Sequence, residues 1–372
     1  MTTLRDVAQR AGVSAMTVSN VVNGRSGKVS QATIERVEAA IRELGYVPNA
    51  QARTLAGASS RIIALVYGVS PERAPLSAPH ESLFVGACEQ ACHEAGLAVM
   101  LCACVDEDAD ALLQRLRGWN VAGAIVMGTT PTDARARLSE LGVPVVAIDS
   151  RSAEVAELVQ RQGGEAARRL GAGSAGSGLP EGGDQAQAAH GWASLASGFF
   201  TVGIDDGGGG ALAGRHLCEA GHTRVVFVAP YPRLSRIDID RLAGLREGLG
   251  ARGQVRVVEA AVDYSTAVEV GARLARSMKD AGESAVFASA DLLAIGIVAG
   301  LRRSGVRVPD DVSVVGFDGF EISTYSDPVL TAVVQPIADK AGEAVRLIQG
   351  APEREIVLPV SWREGGTLGP AR

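Results

Sequence analysis

Apolar positions run through this chain in two rhythms, and the change comes near residue 61. Before it, they keep helical spacing in short bursts. Val7, Ala8 and Ala11 share one face behind Thr3, and Asp6 completes a T-x-x-D capping pattern, which predicts a helix from Leu4 to about Ala11. Gly12-Val13 makes a turn. Ser14 caps a second helix through about Val22, with Val18, Val21 and Val22 inward and Ala15, Met16, Thr17, Ser19 and Asn20 outward. Ser30 caps a third helix over Gln31 to Leu44, closed by Gly45. Two short helices around a glycine turn make a minimal helix-turn-helix, whose second helix enters a major groove by its N-terminal end. Spacing alone fits an ordinary small helical bundle equally well.

From Arg61 onward the rhythm becomes strand, helix, strand. RIIALVYG, GLAVMLCAC, VAGAIVMG and PVVAID read as strands, with helices over about 82–95 and 108–119 between them. FTVGID, TRVVFVAP, QVRVVEA, SAVFAS and DVSVVGFD repeat the plan. Apolar runs bounded by glycine and separated by amphipathic helices predict parallel sheets covered on both faces. The fold class is therefore α/β, with two parallel-sheet lobes behind a small helical module and a ligand cleft at the strand C-termini.

Charge sharpens this division. The chain has 372 residues, and its formal net charge is −6. Residues 1–61 carry eight Lys or Arg against four Asp or Glu, hence +4, which leaves −10 for the remainder. A basic module on an acidic body suits a protein that binds phosphates at one end only. With 47% hydrophobic but only 4% aromatic residues, the core must be aliphatic. Cys88, Cys92, Cys102, Cys104 and Cys218 form no CxxC pair, so they read as small apolar side chains in a reduced compartment. Gly208, Gly210 and Ala213 satisfy a loose G-x-G-x-x-A, but the next strand ends in Ala229-Pro230, not in the acidic residue a dinucleotide site needs. No Walker A, HExxH or GxSxG pattern is present. We therefore expect no catalytic residues, no metal and no cofactor. No apolar run spans a bilayer and no signal-peptide core opens the chain, so the expected location is cytoplasmic, with the nucleoid.

TLRDVAQRAGVSAMTVSNVVNG, then VSQATIERVEAAIRELGYVPNAQARTLA, resembles the headpiece and hinge of the LacI/GalR family of transcriptional regulators at nearly every position. DLLAIGIVAGLRRSGVRVPDDVSVVGFDGFE followed by PVLTAVVQP resembles the periplasmic-binding-protein-like body of the same family, over about 61–150 and 201–365. The resemblance implies that Ala15, Met16 and Asn20 read base edges, while Thr3, Ser14, Thr17, Ser19, Asn23 and Arg53 contact phosphates or position the helix. Asn49 can cap a hinge helix too short to be stable alone, and Leu55 matches the leucine that wedges into the minor groove. Asn20 stands where most members carry arginine. Asparagine prefers adenine where arginine prefers guanine, so an operator altered at that base pair is expected.

In the body, the resemblance places Asp149, Arg241 and Asp318 at effector-contacting positions, with Asp291 at the next cleft-facing turn and His80 and Phe84 as further candidates. Ala290 replaces a common asparagine and Gly319 a common second aspartate. The implied division is a headpiece at 1–47, a hinge helix and linker at 48–60, an N-terminal lobe at 61–150 with 316–335, and a C-terminal lobe at 201–315 with 336–365. Residues 151–200 form a Gly/Ser/Ala-rich insertion, read first as an unstructured surface loop and second, from Trp192, Phe199 and Phe200, as a partner-binding or cleft-covering segment.

The implied function is a repressor working as a homodimer on a pseudo-palindromic double-stranded operator, controlled by a sugar-like small molecule, with no membrane partner. A corepressor-dependent regulator, answering a purine-like or protein corepressor, is the alternative. An enzyme or exported solute-binding protein ranks third, against the headpiece and the missing export signal. Nothing after Arg363 forms a leucine heptad, so no C-terminal tetramerisation helix is expected.

Overall fold

Capping residues set the first helices. α1 (Leu4–Ala11) opens on a complete capping box, in which the Thr3 hydroxyl accepts from the Asp6 amide and the Asp6 carboxylate accepts from the Thr3 amide. It stops at Gly12, whose φ of 64° suits a residue without Cβ. α2 (Ala15–Val22) begins where the Ser14 hydroxyl accepts from the Thr17 amide at 3.1 Å. α3 (Gln31–Leu44) ends at Gly45, while the Ser30 hydroxyl meets the Thr33 hydroxyl and makes no cap to the backbone. These ends coincide with the sequence reading, because caps and glycine stops are local signals. Val7, Ala8, Ala11, Val18, Val37 and Ala40 form the core, with Val21 and Val22 only half-buried at its edge.

The structure is a computed structural model describing residues 2–22, 27, 29–46, 60–69, 76–105, 109–128, 130, 132–150, 199–230 and 234–372. It divides into two units, Met1–Arg61 and Ile62–Arg372. The expected hinge helix and residues 151–198 of the insertion lie outside the described residues.

In the larger unit the first sheet is built from β1 (Ile62–Gly68), β2 (Ala98–Cys104), β3 (Gly123–Val126), β4 (Val145–Ile148), β5 (Phe199–Ile204) and β11 (Glu355–Leu358), in the order β11-β5-β4-β3-β1-β2. Every pairing is parallel. The second contains β6 (Arg224–Pro230), β7 (Gln254–Ala260), β8 (Ala285–Ala288), β9 (Ser313–Asp318), β10 (Thr331–Val334) and β12 (Ser361–Arg363), in the order β12-β10-β9-β8-β6-β7. Only β12 runs antiparallel. α4 (Pro79–Glu94), α5 (Ala109–Trp119), α6 (Thr132–Leu138) and α11 (Ile337–Ile348) accompany the first sheet. α7 (Asp206–Glu219), α8 (Arg236–Leu249), α9 (Tyr264–Ala281) and α10 (Asp291–Arg303) accompany the second.

This pairing corrects the expected division of the lobes. β5 lies beside β4, so 199–204 belongs to the first lobe, and Phe199 and Phe200 are strand residues, not part of an insertion. β9 and β10 continue the second sheet, which removes 316–335 from the first lobe. α11 and β11 return to the first lobe, and only β12 of the stretch 336–365 joins the second sheet. The chain thus crosses between lobes three times, at 204–206, 334–337 and 358–361. An apolar run identifies a strand but not its neighbour, and tertiary pairing chose the neighbours.

The glycine run that opens α7 has a packing role. A Cβ on Gly210 would overlap the Arg241 carbonyl oxygen, and one on Gly244 would overlap the Gly207 carbonyl oxygen. α7 and α8 therefore lie backbone against backbone, which bare glycines permit. Cys88, Cys92, Cys102 and Cys104 are buried and Cys218 is exposed; burial pushes the Cys92 thiol up to about 11.

Candidate functional sites

The capping residues of the headpiece also shape its polar face. Ser14 and Ala15 are exposed, and Met16 is 70% exposed, far too open to cover the core. Thr17, Ser19 and Asn20 follow half-buried, while Val18 between them is fully buried. The Ser14 and Thr17 hydroxyls sit 2.9 Å apart, and the exposed Thr3 hydroxyl donates to Asp6 at 2.8 Å. The candidate base-reading side chains thus stand at the start of a helix whose first turn is already held by its own hydroxyls. Asn23, Asn49, Arg53 and Leu55 lie outside the described residues.

Between the two sheets of the larger unit lies a cavity of about 420 Å³, and His80, Asp149, Arg241 and Asp318 line it. Three of them arrive at element ends, and Arg241 comes from inside a helix. His80 is in the first turn of α4, Asp149 follows β4, Asp318 ends β9, and Arg241 lies in the second turn of α8. Asp149 and Asp318 adopt φ of 56° and 114°, conformations that cost non-glycine residues energy. Strand ends turned this way direct both carboxylates into the polar cluster beside the cavity.

Asp149 accepts from Lys340 Nζ at 2.7 Å and faces His80 Nε2 at 3.3 Å. Burial pushes its carboxyl upward, but Lys340 and His80 outweigh that and hold it well below the usual carboxylate range. Arg241 donates to Asp206 at 2.8 Å and to the Ser289 carbonyl at 2.6 Å, and its guanidinium carbon lies 3.5 Å from the Phe317 ring centre. Asp206, desolvated yet beside Arg241, is still raised above its ordinary value. Asp318 accepts from Gln335 Nε2 at 2.5 Å, and burial raises its carboxyl too.

Two candidates take other places. Phe84 is fully buried in the first lobe and does not line the cavity; it stacks behind His80 at 6.5 Å. Asp291 is buried and does not line the cavity; its Oδ2 accepts from the Phe320 amide at 2.8 Å and holds the turn after β9. Burial and the neighbouring Asp318 charge push its carboxyl up to about 8. A helix-start aspartate looks the same in sequence whether it points to a ligand or into a turn.

Sequence reasoning missed Lys340, Gln335 and Asp206. Lys340 reads as one more charged position of an amphipathic helix, and nothing in its spacing marks it as fully buried. A second cavity of about 420 Å³ shares Asp149, Arg236 and Ile237 with the first and extends along Ser150, Asp205, Asp240 and Glu355. Among the described residues no group of three or more His, Cys, Asp or Glu could hold a metal ion, and no helix is long and apolar enough to cross a membrane.

Comparison with known proteins covers both units. Residues 3–49 match the family model for bacterial regulatory proteins of the lacI family, and residues 215–368 match that of the periplasmic binding protein-like domain. The chain is 32% identical to the HTH-type transcriptional regulator CelR of Thermobifida fusca, over 96% of this chain and 94% of that protein. Its fold is similar to the Lac repressor dimer bound to operator and the anti-inducer ONPF, with a TM-score of 0.73, 25% identity and 98% of each chain covered. It is also similar to a CelR–cellobiose complex, with a TM-score of 0.63, 29% identity, 99% of this chain and 100% of the other covered.

Proposed function

This chain belongs to the lacI family of bacterial regulatory proteins, and from that membership we propose that it is a transcriptional repressor whose operator affinity is set by a sugar held between its two lobes. The single observation that carries the effector reading is the cavity where Asp149, Arg241 and Asp318 converge from different elements. Carboxylates accept from sugar hydroxyls and a guanidinium donates to them, so this trio orients a polyhydroxylated ring and offers little to an apolar ligand. The adjoining cavity gives room for a second ring, and a related regulator, CelR, forms a complex with cellobiose.

The headpiece residues Thr3, Ser14, Ala15, Met16, Thr17, Ser19 and Asn20, with Asn23, Asn49, Arg53 and Leu55, form the proposed DNA surface. Two copies read the two halves of a pseudo-palindrome, so the working unit is a homodimer. Ligand changes the angle between the lobes, and that angle governs how the two hinges meet at the operator. The protein is not an enzyme in this reading, and it works in the cytoplasm, where its DNA is.

A gel shift on the palindrome upstream of the protein's own gene, with and without glucose, cellobiose and related sugars, tests this. Release of the DNA by one sugar, most strongly by a disaccharide, is the expected result. Binding only in the presence of a ligand would replace induction by corepression. No binding to any palindrome under any condition would defeat the repressor reading itself.

A further inference from the structure

A lysine with no exposed surface needs a reason, because burying an ammonium is costly unless it is paired and hydrogen-bonded. Lys340 sits in the first turn of α11, just after the chain crosses between lobes at 334–337. Its Nζ donates to Asp149 Oδ1 at 2.7 Å and to Gln335 Oε1 at 2.8 Å. The other end of the same amide, Gln335 Nε2, donates to Asp318 Oδ1 at 2.5 Å. Asp149 directly follows a strand of the first sheet, and Asp318 ends a strand of the second.

We infer that Lys340 is a positioning residue for the effector cleft, which through Asp149 directly and through Gln335 to Asp318 fixes the two cavity carboxylates of opposite lobes. Lys340 itself does not line the cavity, so it acts through the groups that do.

Three features support this. The relay is polar in one sense throughout, since the ammonium draws on the amide oxygen and thereby strengthens the amide N–H toward Asp318. Both aspartates hold φ values in the left-handed region, 56° and 114°, and neither is a glycine, so something must maintain them. The relay is also anchored on the crossing itself. A change of lobe angle that moves Asp318 relative to Asp149 must stretch either the Gln335–Asp318 or the Lys340–Asp149 bond. A ligand bridging the two carboxylates therefore acts on the same oxygens that the relay uses. His80 from α4 and Asp206 from α7 also face Asp149, but His80 belongs to the first lobe and Asp206 is held by Arg241. Lys340 and Gln335 therefore carry the described hydrogen-bonded path between the two carboxylates.

Hydrogen exchange on the full-length, ligand-free protein tests the inference with K340M, Q335A and the double variant. Exchange should rise on the order of tenfold in K340M at 146–150, at 316–320 and in the crossing at 334–337, while β1 and β8 stay protected. Q335A, which keeps the Lys340–Asp149 pair, should loosen 316–320 and spare 146–150. The double variant should match Q335A at 316–320, because Lys340 reaches Asp318 only through Gln335 on this path. Unchanged exchange at 316–320 in Q335A would overturn the relay, and so would additive effects in the double variant. Loosening spread evenly through the first-lobe core would mark Lys340 as merely structural; if K340M does not fold, Q335A decides alone.

A second arm rests on the sugar-binding reading. Cellobiose affinity, measured by calorimetry, should fall on the order of tenfold in K340M, whose altered side chain does not line the cavity. If the unaltered protein binds no sugar, the proposed effector class fails, while the exchange result still decides the relay.

Discussion

Arg241 concentrates several interactions in one side chain: a pair with Asp206, a bond to the Ser289 carbonyl and a face on Phe317. Arg241→Ala leaves Asp206 buried without its partner, and removing one member of a buried pair costs about 3–5 kcal/mol. Urea unfolding should report that loss, and the thermal shift produced by a bound sugar should vanish in the same variant. Asp291 acts in the opposite sense. Its carboxyl is raised from 3.8 to about 8, so across that interval the unfolded chain has released a proton that the folded chain retains. Folding stability contributed by this group therefore falls as pH rises from about 4 to 8. Asp291→Asn keeps an acceptor for the Phe320 amide and removes the titration, so its stability should decline less over that range. An unchanged slope in denaturation series at several pH values would contradict this assignment. Asp149 contributes with the usual carboxylate sign: its depressed value gives stability above the ordinary range that is lost as pH falls below it.

At the scale of elements, the contact of α7 with α8 leaves no room for a Cβ at Gly210 or Gly244. Gly244→Ala places a methyl on the Gly207 backbone, so the helices must separate; overpacking of this kind costs about 1–3 kcal/mol. Gly342→Ala in α11 meets nothing within 4 Å and should stabilise by about 0.4–1 kcal/mol through the unfolded chain. Melting temperatures of the two variants should move in opposite directions. The same glycines show what was legible. That a helix starts near 206 could be read from the sequence; that its glycines face another backbone could not, since a permissive turn and a close helix contact leave one pattern. Thr3, Asp6, Gly12 and Gly45 were fully legible, because each acts on a backbone group within a few residues.

For the whole molecule, charge is divided as function requires. The chain carries −6, yet residues 1–61 carry +4, so DNA association must be local to the headpiece and sensitive to salt. If each dimer makes six to ten phosphate contacts, operator affinity should fall by about 10³-fold or more between about 50 and 200 mM salt. Fluorescence anisotropy across that range checks it, and a flat response would argue against phosphate contacts by the basic module. The lobes are linked by three crossings, so their relative motion has few degrees of freedom and an effector between them acts on all three at once.

By itself the sequence determined the helices of the headpiece, the alternation of strand and helix in the body, and four cavity-lining residues, His80, Asp149, Arg241 and Asp318. These rest on caps, on periodicity and on a family pattern, all of which are local in the chain. Tertiary structure alone decided which strands share a sheet, so that 316–335 and most of 336–365 exchanged lobes. It also decided that Phe84 and Asp291 turn away from the cavity, and that Lys340, fully buried, joins one cavity carboxylate to the other. The physical reason is the same in each case. A side chain's type and spacing fix what it can bond, but only the folding of distant segments against one another fixes what it meets.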